Sequence, residues 1–277
     1  MSRTRRRRTI GVVVVVLLVV DARDVELAAD ALWQAGPSAV GEELLPDGRV
    51  QLTADVVDVA AVPGPWSVSV YVEAGGAHLD EWRRWAQPVR VGDRLVLHPA
   101  WLPVEGVNGD DVIVRLDPGR TFGTGSHPST RLAAAALLAH VRSGDCVLDV
   151  GGGSGVLAVV AARLGAASAL AIDVDPSAPA VTRANARANG VDHLVIASNA
   201  PLDEVEGTFD LVVANIGVRV LGELAAALVR RVRPGGLLVL SGLLDAQMDP
   251  LLSGAYANAV EVERSAEDGW AATVLRI

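Results

Sequence analysis

From residue 131 onward, short apolar runs alternate with segments of helical spacing. The succession reads RLAAAALLAHV, CVLDVG, GVLAVVAARLG, ALAID, APAVTRANARANG, HLVIAS, FDLVVANI, VLGELAAALVRRV and GGLLVLSG, followed by a tail that closes on GWAATVLRI. A strand covered on one face alternates apolar with polar residues, whereas a strand covered on both faces reads as a continuous apolar run. Continuous runs separated by helices therefore predict an α/β fold, a doubly wound, mostly parallel sheet with helices on both faces. In such a sheet, ligands sit at the carboxyl ends of the strands.

Those ends carry the residues with chemistry. LDVGGGSG closes one strand and opens a helix, placing Asp149, Gly151, Gly153 and Gly155 in an acidic-x-Gly-x-Gly-x-Gly pattern. So tight a turn needs glycine for its backbone angles and for the close approach of a ligand to the main chain. The dinucleotide fingerprint requires a small residue at 156, and Val156 stands there, which disfavours a pyrophosphate ligand. The next strand ends in Asp173, where a carboxylate can accept hydrogen bonds from both hydroxyls of a ribose. A glycine turn alone is as readily a plain strand-to-helix joint. Joined to the acidic strand end, it favours a nucleoside ligand, S-adenosylmethionine, over NAD.

The first third of the chain has a different plan. TRRRRTIGVVVVVLLVVDARD has the look of an export signal, but its apolar stretch is too short to span a bilayer. No small-x-small cleavage pattern follows it, and its valines favour a buried strand. DARDVELAADALWQAG then shows helical spacing, and SAVGEELL, RVQLTADV and WSVSVYVEA read as strands separated by Pro/Gly turns. This predicts a small amino-terminal α+β domain over residues 1–75, a helical connector over 76–93 containing Trp82 and Trp85, and a larger domain over 94–277.

Composition excludes several classes. The net charge is −9, although Arg3, Arg5, Arg6, Arg7 and Arg8 crowd five of the 24 basic residues into the first eight positions. An acidic body disfavours nucleic acid as the main partner and suits a basic one. Cys146 is the single cysteine and the five histidines lack metal-ligand spacing, so neither a disulfide nor a metal site is expected, and a reducing, cytoplasmic setting fits. All 24 basic residues are arginine, and the chain contains no lysine.

LDPGRTFGTGSHPSTRL, LDVGGGSGVLAVVAARLGA, AIDVDPSA, FDLVVANI and RPGGLLVLSGLL resemble, in order and spacing, the bacterial ribosomal protein L11 methyltransferase family, of the class I methyltransferase fold. The likeness runs from about Trp82 to the end, with LHPAW and GWAA included, and is weaker over residues 1–75. It implies methyl transfer from S-adenosylmethionine to lysine side-chain amines, and to an amino-terminal amine, of a basic large-subunit ribosomal protein. The enzyme would be a monomer whose amino-terminal domain recognises that protein, with no membrane association. By resemblance, Thr130, Gly151, Asp173 and Asn215 match cofactor-contacting positions, and Gly153 belongs to the same turn. The run FGTGSHPST would close over the methionine end of the cofactor through Gly123, Thr124 and Gly125, with Phe122 against the sulfonium or the acceptor channel. Asn215 would orient the amine or hold the amino-acid end of the cofactor. His127 is a candidate for proton transfer, although the local sequence places no carboxylate to orient it.

The residues after Asn215 bear on the acceptor. Methyltransferases of planar amide or base nitrogens carry a related asparagine followed by two prolines and an aromatic, whereas Ile216, Gly217 and Val218 follow here. An aliphatic amine is the expected acceptor, and another protein or small-molecule amine is the alternative. Gly152 stands where cysteine is usual, Arg120 and Thr121 replace an apolar-alanine pair, and Ser126 and Ser129 replace threonines. A dinucleotide-dependent oxidoreductase and a non-catalytic binding module that retains the cofactor fold are the contrasting readings.

Overall fold

A computed structural model describes residues 12–21, 24–25, 28–29, 32, 40–45, 47–56, 66, 68–74, 86–118 and 125–277. The chain divides into two compact units, Met1–Trp85 and Ala86–Ile277. In the first, strands β1 (Val12–Asp21), β2 (Val40–Leu44), β3 (Arg49–Val56) and β4 (Val68–Ala74) form one antiparallel sheet in the order β2-β3-β1-β4. The valine run is thus a central strand. Val16, Leu18 and Val20 face a small core with Ala28, Leu32, Leu52 and Ala54, while Val19 between them is exposed. That period of two marks a strand covered on one face.

The second unit opens with a three-stranded sheet, β5 (Val89–Val91), β6 (Leu95–Pro99) and β7 (Val112–Leu116), in which β6 pairs antiparallel with β5 and parallel with β7. The helical connector expected over 76–93 does not extend this far. Residues 76–85 lie outside the described residues, and 89–91 are a strand. Pro88 has no N–H to continue a helix, and Gly92, at φ 59°, turns the chain into β6.

The large sheet follows, built from β8 (Cys146–Val150), β9 (Ser168–Ile172), β10 (Val195–Ser198), β11 (Phe209–Asn215), β12 (Val232–Leu244), β13 (Val260–Glu267) and β14 (Trp270–Arg276). Its order is β10-β9-β8-β11-β12-β14-β13, parallel from β10 to β12, with the last two strands antiparallel. This is the doubly wound α/β sheet that the apolar runs predict. The closing tail is a hairpin turning at Asp268 and Gly269, both with positive φ, and its second strand slots between β12 and β13. Helices α1 (Pro128–His140), α2 (Val156–Arg163) and α3 (Ala178–Ala188), then α4 (Val218–Glu223), α5 (Ala225–Arg231) and α6 (Asp245–Ala255), cover the two faces.

Side-chain alternation sorts the sheet between two cores. Val147, Ala169, Ala171, Leu211 and Val213 pack with α1 and α2, whereas Leu148, Val150, Ile172, Val212 and Ala214 pack with α4 to α6. A buried leucine such as Leu148 removed to alanine would cost about 2–5 kcal/mol, so neither face tolerates a register slip. Among the described residues no helix is long and apolar enough to cross a membrane.

Candidate active site

The register of the parallel strands brings the candidate residues into one row. Asp149 lies opposite Ala171 of β9 and opposite Val213 of β11. Two residues further along each chain stand Gly151, Asp173 and Asn215, level with one another at the carboxyl end of the sheet. Because side chains alternate, Asp149, Asp173 and Asn215 share the parity of the face covered by α1 and α2. Three segments separated by 22 and 42 residues thus converge on one crevice, at the place where open α/β sheets bind ligands.

The glycine turn is tied to the next strand. Gly151 and Gly152 both donate their N–H to the Ile172 carbonyl, at 2.9 and 3.0 Å. Gly153 donates to Asp173 Oδ2 at 2.7 Å, and Asp173 Oδ1 accepts from Asp175 N at 2.9 Å. An ionised carboxylate has about four lone-pair sites, so each oxygen retains one for a further donor such as a hydroxyl. Gly151 sits at φ 75°, and a Cβ placed on it would lie 2.3 Å from Ile216 Cγ2; on Gly155, at φ 77°, it would lie 2.5 Å from Thr182 Cγ2. At both positions the space for a side chain is already taken by Ile216 and Thr182, so the turn is closely packed and admits only glycine there.

Asp149 completes the turn from beneath. It is fully buried, its Oδ2 accepts from Ala158 N at 3.0 Å, and its Oδ1 has no partner. Gly155 begins α2 without a side chain to cap it, so the carboxylate from the preceding strand serves one of the helix's orphan N–H groups. Burial pushes the Asp149 carboxyl up to about 7, with the bond from Ala158 opposing and the charge of Asp173 adding. Val156, which weighs against the dinucleotide fingerprint, is buried in the first turn of α2.

On the other side of the crevice stands α1. The sequence suggests that the loop runs through residue 130, yet the helix starts at Pro128, because proline at the first helical position has its φ preset and lacks only an N–H that would be unpaired anyway. Thr130 is therefore in the first helical turn, fully buried, and its Oγ1 accepts from Asn215 Nδ2 at 3.3 Å. Asn215 Oδ1 is buried and has no partner. His127 caps the helix: its Nδ1 lies 2.8 Å from Ser129 Oγ and accepts from Ser129 N at 3.3 Å. Its ring packs edge-on against Trp270, centroids 4.6 Å apart, and burial together with nearby Arg131 holds its pKa below the ordinary value. Arg131 binds the Ser126 carbonyl and pairs with Glu267 at 2.8 Å and Asp268 at 3.3 Å, which fixes the β13–β14 turn beside the loop. Gly125, at φ 85°, packs on Leu97 and Leu116. Phe122, Gly123 and Thr124 lie outside the described residues.

A cleft of about 280 Å³ opens at the opposite end of the sheet, between His140, Arg142, Asp210 and Arg276. It is remote from the row of strand ends and shares no residue with it.

The model of a protein family, ribosomal protein L11 methyltransferase, matches residues 73–277. The chain belongs to this family. The ribosomal protein L11 methyltransferase of Cupriavidus metallidurans is 43% identical over 236 residues, covering 83% of this chain and 73% of the relative. That of Pelotomaculum thermopropionicum is 38% identical over 259 residues, covering 88% and 83%. A crystal structure of ribosomal protein L11 methylase from Lactobacillus delbrueckii subsp. bulgaricus superposes with a TM-score of 0.63 at 29% identity, over 69% of this chain and 97% of that one.

Methyltransferases of this family use S-adenosylmethionine, and the residues present fit it. The glycine turn presents main chain without side chains, Asp173 keeps acceptor capacity for hydroxyl donors, and the unpartnered Asn215 Oδ1 offers an acceptor to an ammonium or amine. Sequence reasoning missed three residues that shape the crevice. Ile216 figures there only as not being proline, although its side chain lies on Gly151 and its N–H donates to the Ser241 carbonyl. Thr182 and Asn185 of α3 read as ordinary helix residues. The one signal, for Asn185 alone, is the repeated Ala-Asn in TRANARANG.

Proposed function

We propose that this chain transfers methyl groups from S-adenosylmethionine to amines of ribosomal protein L11, chiefly lysine ε-amines, with the amino-terminal amine as a second target. The bound donor supplies an electrophilic methyl group on a sulfonium. Gly151 and Gly153 would cradle it through the main chain, Asp173 would hold its ribose, and Thr130 would fix the amide of Asn215. The observation that carries the reading is the buried Asn215 Oδ1, left without a partner at the strand end beside the glycine turn. A buried acceptor left unsatisfied costs about 1–3 kcal/mol, a cost that an amine N–H would remove.

Asn215 is also the residue that suits an amine. A lysine is neutral about once in ~2500 molecules at pH 7, a deficit of roughly 4.6 kcal/mol from its reference pKa of about 10.4. The protein must therefore favour the neutral form and orient it, rather than supply a strong base. Exclusion of water around the acceptor nitrogen favours the neutral form, and one accepted N–H···Oδ1 bond aims its lone pair. His127, spent as the cap of α1, supports the loop in this scheme, with Phe122, Gly123, Thr124 and Gly125 closing over the donor. Ile216-Gly217-Val218 after the asparagine suits an aliphatic amine rather than a planar nitrogen.

The amino-terminal domain expected over residues 1–75 would serve as the recognition module for the basic ribosomal protein and 94–277 as the catalytic domain, with the connector between them ending before strand β5 at Val89. The acidic chain acts as a monomer in the cytoplasm, without direct nucleic-acid binding. Intact-mass spectrometry of purified ribosomal protein L11, incubated with this chain and S-adenosylmethionine, tests the proposal. Methyl increments that map to lysines support it. No methyl increment on L11, under conditions in which the chain binds S-adenosylmethionine, would refute it.

A further inference from the structure

Two buried polar side chains of α3, Thr182 and Asn185, lie in one stripe with Asn189, the half-buried residue that caps the end of the helix, three and four residues apart. Thr182 Oγ1 donates to the Gly153 carbonyl at 3.2 Å. Asn185 Nδ2 donates to the Ser154 carbonyl at 2.9 Å and to the Asp117 carbonyl at 3.1 Å, while its Oδ1 accepts from Asp117 N at 2.9 Å. Asn189 repeats the pattern one turn on. Its Oδ1 accepts from Arg115 N at 2.8 Å, and its Nδ2 donates to the Arg115 carbonyl at 2.7 Å and to the Asn185 carbonyl at 2.8 Å.

The spacing explains why the match works. Four residues of helix advance about 6 Å, and two residues of strand about 6.6 Å. Two carboxamides at i and i+4 therefore meet the backbone of residues 115 and 117, which are two apart, and stand in for a neighbouring strand on the edge of β7, the last strand of its sheet. Asn189 stops there. Asn185 alone reaches further, to Ser154 inside the glycine turn. Glycines at 151, 152, 153 and 155 leave the turn's backbone little restrained by its own side chains, and two of its carbonyls, of Gly153 and Ser154, are held from α3.

We infer that Asn185 is a positioning residue for the methyl-donor site. It fixes the distance between the glycine turn and Asp117, where the cofactor loop begins, without itself touching the donor. Thr182 assists, and Asn189 serves only to hold β7 against α3. The inference deepens the assignment of the glycine turn to S-adenosylmethionine and rests on it.

The test compares Asn185→Ala with Asn189→Ala. Each removes one carboxamide making three bonds, and because Asn185 is buried while Asn189 is half-buried, the larger loss of thermal stability is expected for Asn185→Ala, so the comparison is read from local exchange and donor binding rather than from stability. Two measurements are made, calorimetric titration with S-adenosylmethionine and amide hydrogen exchange of Ser154 and Gly155 in the protein alone. Asn185→Ala should weaken the donor about tenfold, the equivalent of one hydrogen bond in binding, and speed exchange at Ser154 and Gly155 by a similar factor. Asn189→Ala should change both less than about threefold. Equal changes in the two variants, or an unchanged Asn185→Ala, overturn the inference. If Asn185→Ala does not fold, Asn185→Ser takes its place with the same outcomes. Should the wild-type chain itself fail to bind the donor, the assignment of the turn falls, while the exchange comparison still decides whether Asn185 holds it.

Discussion

Gly151→Ala paired with Ile216→Ala probes how the glycine turn meets the strand that carries Asn215. A Cβ on Gly151 would stand 2.3 Å from Ile216 Cγ2 but 3.8 Å from Ile216 Cβ, so truncating Ile216 to alanine restores ordinary van der Waals distance. Gly151→Ala alone carries two costs. The left-handed φ of 75° penalises an L side chain by about 1–2 kcal/mol, and the overlap adds about 1–3 kcal/mol as in other overpacked cores. Ile216→Ala alone costs about 2 kcal/mol for the lost packing, because the residue is only partly buried. In the double variant the overlap vanishes and the backbone penalty remains. The cycle should therefore show a favourable coupling of about 1–3 kcal/mol. Urea unfolding of the four proteins at one pH measures it. Costs that add to within about 0.5 kcal/mol would show that Ile216 does not rest on Gly151, and the reading of the turn as a fitted cradle would be wrong.

Other consequences follow from the same crevice. Burial holds the Asp149 carboxyl at about 7, so the folded protein keeps a proton that the unfolded chain gives up above about pH 4. The stability this group contributes is fully present below about pH 4 and falls as the pH rises to 7; Asp149→Asn should flatten that fall in denaturant titrations, and a parallel pH dependence in the two proteins would contradict it. Asn215→Ala should lower kcat about 100-fold on L11 while leaving the melting temperature nearly unchanged, and a change confined to the melting temperature would assign Asn215 to the scaffold. Trp270→Ala uncovers the His127 ring, so the His127 pKa should rise toward the ordinary histidine value in an NMR titration; a fixed pKa would mean that Trp270 does not bury it.

How far the sequence carried the fold depends on which contacts are local. The central strands of the large sheet, β8, β9, β11 and β12, were legible because their apolar runs are largely buried, whereas the edge strand β13, VEVERSAE, is exposed and carries no such run. The placement of the glycine turn and of Asp173 at strand ends was legible because each directly follows an apolar run. The level placement of Gly151, Asp173 and Asn215 was not, because register is a property of pairs of strands. The insertion of β14 between β12 and β13 was missed for the same reason, although Asp268-Gly269 is a hairpin turn signal in its own right. Asn185 and Asn189 escaped because an asparagine in a helix ordinarily points to solvent, and only the fold reveals that a strand edge lies opposite. Helices α4 and α5 read as one segment, and the break at Leu224, two residues after Gly222, is the difference.

Calorimetric titration of S-adenosylmethionine into the wild-type chain and into Asp173→Ala, side by side, examines the row of strand ends most directly. Saturable one-to-one binding to the wild type and a loss of about thirtyfold or more in the variant are expected, the worth of a charge-assisted pair of hydrogen bonds. Equal affinity in the two proteins would contradict the assignment of Asp173 to the ribose.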